Sequence, residues 1–407
     1  MKKKSFLIVL VGVFAMGGLS SWGFTAFAAE APKTIKVGSS CSLTGPFGSG
    51  GAMCEAGYEI AIEQINQKGG LFVKEFNKKI PLELVMLDDE SNFTLTVSRM
   101  ESLYTSYDVV AYLGGFSSPM HAAQAPIAEK NKVPLLMVAS ILLDIHQKGY
   151  KYNFSPFPKT PDCAKTVFDI LDSILPAQKP KKVALFMEKA PVGVELKDMW
   201  KDESVKRGYG EPLSKEQPRE MKDFSPLIME AKSAGAEVLL TGPTTPEGIT
   251  MTKQMKELDY SPKFYFAYRA PDPWAWGDAL KKDGDYISLF PGWCNGFRYA
   301  GVKELNEIHM KKYNRLPDVM VGPAYACVQI LADAIEKAGT LERDKIRDAI
   351  ASTDVKTVIG PVKFRPDGTG VVVSLIVQWQ KGKQEIVWPK EYITSPLVYP
   401  MPKWSER

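Results

Sequence analysis

Histidine is scarce in this chain of 407 residues, which holds only His121, His146 and His309, each in a separate segment. None stands at a metal-ligand spacing, and no G-x-S-x-G elbow accompanies His121 to activate a serine, so a secreted hydrolase is disfavoured. Cysteine is also sparse. Cys41, Cys54, Cys163, Cys294 and Cys327 form no C-x-x-C, and their odd number leaves at least one free if disulfides are intramolecular. Cys41 and Cys54 are the only local pair a disulfide could join, for about 3 kcal/mol at most, and buried free thiols fit the sequence equally well. Glycine-rich phosphate loops are missing too: Gly48-Ser49-Gly50-Gly51 lacks both the GxGxxG completion and the Gly-Lys-Ser/Thr ending, and reads as a loop. The acidic run Asp88-Asp89-Glu90 has no partner motif and reads as a solvated or helix-capping loop. No cofactor and no metal are expected.

Long apolar runs and an excess of one charge are absent as well. No segment after the first thirty residues approaches the roughly 20 apolar residues of a membrane helix. Three of the 51 lysines and arginines lie at positions 2–4, which leaves the rest nearly balanced against 47 acids. With no basic block, nucleic acid is not an expected partner.

What is present begins with a leader. Lys2, Lys3 and Lys4, the apolar stretch Phe6–Met16 and the small-x-small site Ala26-Phe27-Ala28 make a signal peptide over residues 1–28. No Leu-x-x-Cys lipidation pattern sits at the cut. The sequence thus predicts a free protein in the periplasm, with enough length for two domains.

From Thr34, short apolar runs alternate with amphipathic stretches, the pattern of βα units building a parallel sheet. Strands are predicted at 35–39, 82–87, 109–113 and 134–138, with helices around 56–65, 94–106 and 119–130 between them. A second series follows the proline-punctuated stretch Asn153–Pro158. It has helices at 160–175, 193–207, 224–234 and 246–258 and strands at 183–187, 238–241 and 264–266. After another break at Phe290–Trp293 come helices at 302–313 and 323–338, the segment Ile359–Phe364 and a terminal strand pair around 371–380 and 385–388. The interruptions predict three interdomain crossings. Lobe one takes residues 29–153 plus 290–360, and lobe two takes 154–289 plus 361–407, with a cleft and hinge between them.

Several segments then become specific: Gly38–Pro46 (GSSCSLTGP), Asn66–Gly70 (NQKGG), Leu113–Ser118 (LGGFSS), Val133–Leu136 (VPLL), Gly360–Gly368 (GPVKFRPDG), Trp388–Glu391 and Tyr399–Trp404. Taken in order, they resemble the leucine/isoleucine/valine-type periplasmic binding proteins, the type I solute-binding proteins of ABC transporters. The resemblance covers nearly all of the chain after the leader. It implies a two-lobed α/β fold, each lobe a parallel-rich sheet flanked by helices, closing on a small-molecule solute as a monomer. It further implies delivery of that solute to an ABC-type membrane permease; relatives that serve as periplasmic sensors are the alternative.

Site expectations follow from position. Ser117 and Ser118 lie between a strand and a helix N-terminus, where hydroxyls and free amide N–H groups can seat a carboxylate. Capping of the helix is the plain alternative for Ser118. Ala139, Ser140 and Ile141 follow the next strand. The resemblance implies a hydroxyl residue after that strand and an acid after a lobe-two strand to receive an ammonium. Here Ile141-Leu142-Leu143 and Ala267-Tyr268-Arg269 stand there, and Thr244 replaces an expected aromatic. An ammonium beside Arg269 would be repelled, so an aromatic or other non-amino carboxylate is expected rather than an α-amino acid. Phe47, Tyr268 and Trp293 are expected cleft walls; Trp274 and Trp276 are read as lobe-two surface or core. Arg269 is read either as a ligand contact or as an ion-pair partner of Asp272.

Overall fold

Short apolar runs with both faces covered become parallel strands, and the amphipathic stretches between them become the crossover helices that such strands require. The computed structural model describes residues 30–407, so the leader at 1–28 and its cleavage site lie outside the described residues. Along the first part run β1 (Ile35–Cys41), α1 (Gly48–Gln67), β2 (Leu82–Asp88), α2 (Phe93–Thr105), β3 (Ala111–Leu113), α3 (Ser118–Asn131), β4 (Leu135–Leu136) and β5 (Asn153–Phe154). They build a sheet ordered β2-β1-β3-β4-β5 with every pair parallel.

The second series is α4 (Thr160–Asp172), β6 (Val183–Glu188), α5 (Pro191–Lys206), β7 (Leu213–Gln217), α6 (Ser225–Ala234), β8 (Val238–Thr241), α7 (Thr245–Glu257), β9 (Phe264–Ala267), α8 (Trp274–Leu280) and β10 (Ile287–Leu289). The chain then forms α9 (Val302–Tyr313), α10 (Val321–Ala338) and α11 (Arg343–Ala351), and ends on the hairpin β11 (Ile376–Gln380) and β12 (Lys383–Trp388). The second sheet runs β12-β11-β10-β9-β8-β6-β7, parallel from β7 to β10 and antiparallel at β11 and β12. α10 packs on α1 and α11 packs on α10, so the late helices cover the first sheet's layer while the terminal hairpin extends the second sheet. In each sheet the first strand of the series lies between the second and the third. In open α/β sheets, ligands bind at the carboxyl ends of the strands where the order reverses.

Four of the elements named above escape the sequence pattern. β7 reads Leu-Ser-Lys-Glu-Gln, a half-exposed edge strand with no apolar run. β10 and α8 are short, and α11 carries only Ile346 and Ile350 as buried anchors. α1 starts at Gly48, earlier than its apolar spacing indicates. A Cβ on Gly51 would lie 1.8 Å from the Ser42 carbonyl oxygen, and one on Gly50 would lie 2.2 Å from the Phe116 ring. The glycine run is therefore the first turn of a helix pressed onto a loop, not a loop itself.

Two other readings change. Asp89 is fully buried rather than solvated; it accepts hydrogen bonds from Ser40 Oγ at 3.0 Å and Ser42 Oγ at 2.6 Å. Asp88 accepts from the Leu43 amide and the Thr44 hydroxyl, so the acidic pair shapes the loop after β1, and Asn92 caps α2. All five cysteines are buried free thiols. Cys41 and Cys54 donate to the carbonyls of Gly51 and Gly115, and the Cys54 thiol beside it, together with burial, pushes Cys41 well above its ordinary range.

Candidate functional site

The carboxyl ends of β3, β4 and β9 meet in one small cavity of about 20 Å³, lined by Phe116, Ser117, Ser118, Ala139, Ile141, Phe157, Tyr268, Arg269, Asp272, Phe290 and Met320. Six residues expected from the sequence thus converge: Ser117, Ser118, Ala139, Ile141, Tyr268 and Arg269. Phe116 and Ala139 form a parallel bridge that carries the β3–β4 pairing up to the cavity.

Ser117 precedes α3 with φ 81°, a left-handed conformation that costs an L-residue roughly 1–3 kcal/mol and persists only when neighbours fix it. His121 fixes it. Its ring lies one turn along the helix, and Nδ1–H donates to the Ser117 carbonyl at 2.9 Å. His121 is fully buried, and burial lowers its pKa to about 4. Ser117, the N-cap, makes no capping bond with its side chain, and Ser118 Oγ accepts the Ile141 amide N–H at 3.1 Å and ties the two site loops together. Replacing Ser118 by alanine leaves that buried amide unpaired, an expected loss of about 1–2 kcal/mol in stability with the fold retained. Solute binding should weaken roughly tenfold if its hydroxyl also donates to the solute. Chemical denaturation and calorimetric titration measure the two effects, and unchanged affinity would remove Ser118 from the site.

Arg269 is buried and crosses between the two sheets' loops. Nη1 donates to Ser117 Oγ at 3.2 Å, Nε donates to the Pro243 carbonyl at 3.2 Å, and Nη2 pairs with Glu188 at 2.8 Å. Its ion-pair partner is thus Glu188, at the end of β6, and not Asp272. The guanidinium also lies over the rings of Tyr268 and Phe47, at 5.1 and 5.4 Å. Two acids therefore stand at the site: Asp272, which follows β9 and lines the cavity, and Glu188, at the end of β6, which a guanidinium already occupies. Glu188 has a second arginine, Arg219, at 3.6 Å.

The other expected residues fall elsewhere. Phe47 and Thr244 line a larger neighbouring cavity of about 580 Å³, which meets the small one at the Arg269–Glu188 pair. The Thr244 hydroxyl is engaged with Glu247 in the capping box of α7. Ser140 gives its carbonyl to the buried Lys159 ammonium at 2.6 Å, and its own hydroxyl is buried without a partner. Lys159 also donates to Ser155 Oγ at 2.6 Å, and burial lowers its pKa to about 7. Trp293 is not among the residues lining either cavity: it is wholly buried against Gly322 and donates its indole N–H to the Val358 carbonyl at 3.0 Å. Trp276 is core, bonded to the Gly284 carbonyl, and Trp274 packs edge-on against Trp379. Sequence reasoning missed Phe116, Asp272, Phe290, Met320 and Glu188; a strand-end position was the only available signal for most of them.

Residues 34–384 match the profile described as periplasmic binding protein. The chain belongs to this family. Among curated members, Leu/Ile/Val-binding protein homolog 7 of Brucella abortus is 24% identical over 398 residues, covering 94% of this chain and 98% of the relative. Two solved periplasmic binding proteins share the fold. The leucine-binding protein of Thermotoga maritima has 22% identity and a TM-score of 0.76 over 87% of this chain and 97% of its own. The solute-binding protein of an ABC transporter from R. palustris, solved with benzoate, has 17% identity and a TM-score of 0.76 over 90% and 98%. The architecture is the two-lobed α/β fold of these solute-binding proteins.

Several polar links join the segments assigned to the two lobes, among them Lys159 to Ser140, Trp274 to Asp318 and Arg315 to Asp278. Besides the Arg269 to Ser117 contact, Glu195 of α5 accepts the amide N–H groups of Leu143 and Asp144, at 3.0 and 3.2 Å, and bonds the Thr160 hydroxyl.

Proposed function

We propose that this protein is exported to the periplasm and delivers a small aromatic carboxylate to an ABC-type membrane permease, binding without turning it over. The observation that carries the reading is the composition of the cavity. Ser117 and Ser118 stand at the positive N-terminus of α3, Arg269 faces them, and Phe116, Phe157, Tyr268 and Phe290 form aromatic walls. The carboxylate sits against the serines and the Ala139–Ile141 loop of lobe one, residues 29–153 plus 290–360. Lobe two, residues 154–289 plus 361–407, then brings Tyr268 and Arg269 onto the ring as the chain bends at its three crossings. Glu188 pairs with Arg269 at 2.8 Å and stands 3.6 Å from Arg219, which lines the larger neighbouring cavity. The structure solved with benzoate supports the same ligand class on this fold.

Calorimetric titration of the ligand-stripped protein with benzoate, hydroxybenzoates, short fatty acids and L-leucine tests the reading. Stoichiometric binding of an aromatic carboxylate with no product formed is the expected result. Binding of L-leucine with no response to any aromatic acid would overturn it.

A further inference from the structure

Two polar groups in the small cavity have no partner. The Tyr268 hydroxyl and Asp272 Oδ1 are both buried, in residues 5% and 1% exposed, and neither makes a hydrogen bond. Buried polar atoms are normally paired, and an unpaired one at a cleft marks a group held for something that arrives later. Their loop is held firmly. The Asp272 amide turns back to the Arg269 carbonyl at 3.2 Å, Gln384 Nε2 donates to the carbonyls of Pro271 and Asp272 at 3.2 and 2.7 Å, and the Trp379 indole donates to Pro271 at 2.8 Å. The terminal hairpin thus fixes the backbone of the loop whose Asp272 lines the same cavity as Ser117 and Ser118.

We propose that Asp272 and Tyr268 form a second polar end of the binding site, which receives a ring hydroxyl of the solute, so that the ligand is a hydroxylated aromatic carboxylate rather than a plain one. This rests on the aromatic-carboxylate reading above. The solute hydroxyl donates to Asp272 Oδ1 and accepts from the Tyr268 O–H, satisfying both atoms at once, while its carboxylate occupies the serine end. Burial raises the Asp272 pKa well above the usual carboxylate range. A carboxyl held toward its neutral form suits a phenol and suits an ammonium poorly, and Arg269 in the same cavity adds repulsion against a cation.

The test is the affinity ratio of 3- or 4-hydroxybenzoate to benzoate, titrated against the intact protein and its Asp272→Ala and Tyr268→Phe variants. The second variant deletes one oxygen from an otherwise unchanged ring, so it reports even if the first fails to fold. In the unsubstituted protein at least one hydroxybenzoate is expected to bind about tenfold or more tighter than benzoate. Each substitution should bring that ratio close to one. Equal affinity for benzoate and both hydroxybenzoates overturns this inference and leaves the aromatic-carboxylate reading standing. A ratio that survives both substitutions overturns it as well. If neither acid binds and L-leucine does, with a loss on Asp272→Ala, the aromatic-carboxylate reading fails and this inference fails with it.

Discussion

Replacing Arg269 by methionine is expected to lower stability by about 3–5 kcal/mol, the loss typical of a buried ion pair left with one member. Glu188→Gln should cost at least as much, because the two survivors differ. Glu188 without Arg269 can turn toward Arg219, which is partly exposed and 3.6 Å away. Arg269 without Glu188 keeps its charge in a buried site, with only the Pro243 carbonyl and the Ser117 hydroxyl to accept its hydrogen bonds. The double substitution Arg269→Met/Glu188→Gln removes both charges and should recover most of the loss, as replacement of buried pairs by apolar groups commonly does. Urea unfolding of the four proteins gives the coupling energy directly. A double variant as unstable as the sum of the two singles would mean that the pair is not an energetic unit. The same arginine substitution should weaken anionic solutes more than neutral ones; equal effects would assign Arg269 a structural role.

Acidification is the second large effect. His121 is held near pKa 4 and His146 near 3, both chiefly by burial, and both rings bond a backbone carbonyl through Nδ1 while Nε2 is buried and unpaired. A histidine with a depressed folded-state pKa binds its proton more tightly when unfolded, so stability is lost as pH falls below about 6.5 toward the folded value. At pH 4 that loss is about 3 kcal/mol for each ring. The neighbouring Lys159 also opposes charge on both rings, and Asp367 favours it at His146. Asp89, Asp272, Asp285 and Asp318 have raised pKa values and gain stability over the same descent, so the histidine share must be taken as a difference. His121→Asn and His146→Asn keep a donor near the Nδ1 position and cannot be protonated. Their denaturation midpoints should vary less between pH 6.5 and 4 than those of the unsubstituted protein. Identical pH profiles would show that neither ring titrates across folding.

The sequence was a good guide to which residues line the small cavity wherever position along a strand decides what a residue can reach. Ser117, Ser118, Ala139, Ile141, Tyr268 and Arg269 all follow a parallel strand that an apolar run announces, and all line one cavity. It was a poor guide where a side chain's direction depends on tertiary packing. Trp293 and Tyr268 look alike as aromatics beside a break, yet the bare backbone of Gly322 draws the tryptophan inward. Glu188 ends a strand that was itself readable, but pairing it with Arg269 requires the register between β6, β8 and β9. Asp272 gains its meaning from Gln384 and Trp379, more than a hundred residues later, which no local pattern exposes. The fold shows the same division: elements with strong apolar periodicity were placed to within a few residues, while the polar edge strand β7 and the short α8, β10 and α11 were missed.

The cavity between the sheets has room for little more than one water molecule. An aromatic ring cannot enter it while Arg269 reaches Ser117 and Glu195 holds the loop at Leu143 and Asp144. Loading is therefore gated. For the proposed solute, the observed association rate is expected to rise with concentration when solute is scarce and to level off at the rate at which these contacts part. The same contacts re-form over the solute and slow its escape, so changing Glu195 would alter the speed of exchange in both directions while touching no atom of the ligand.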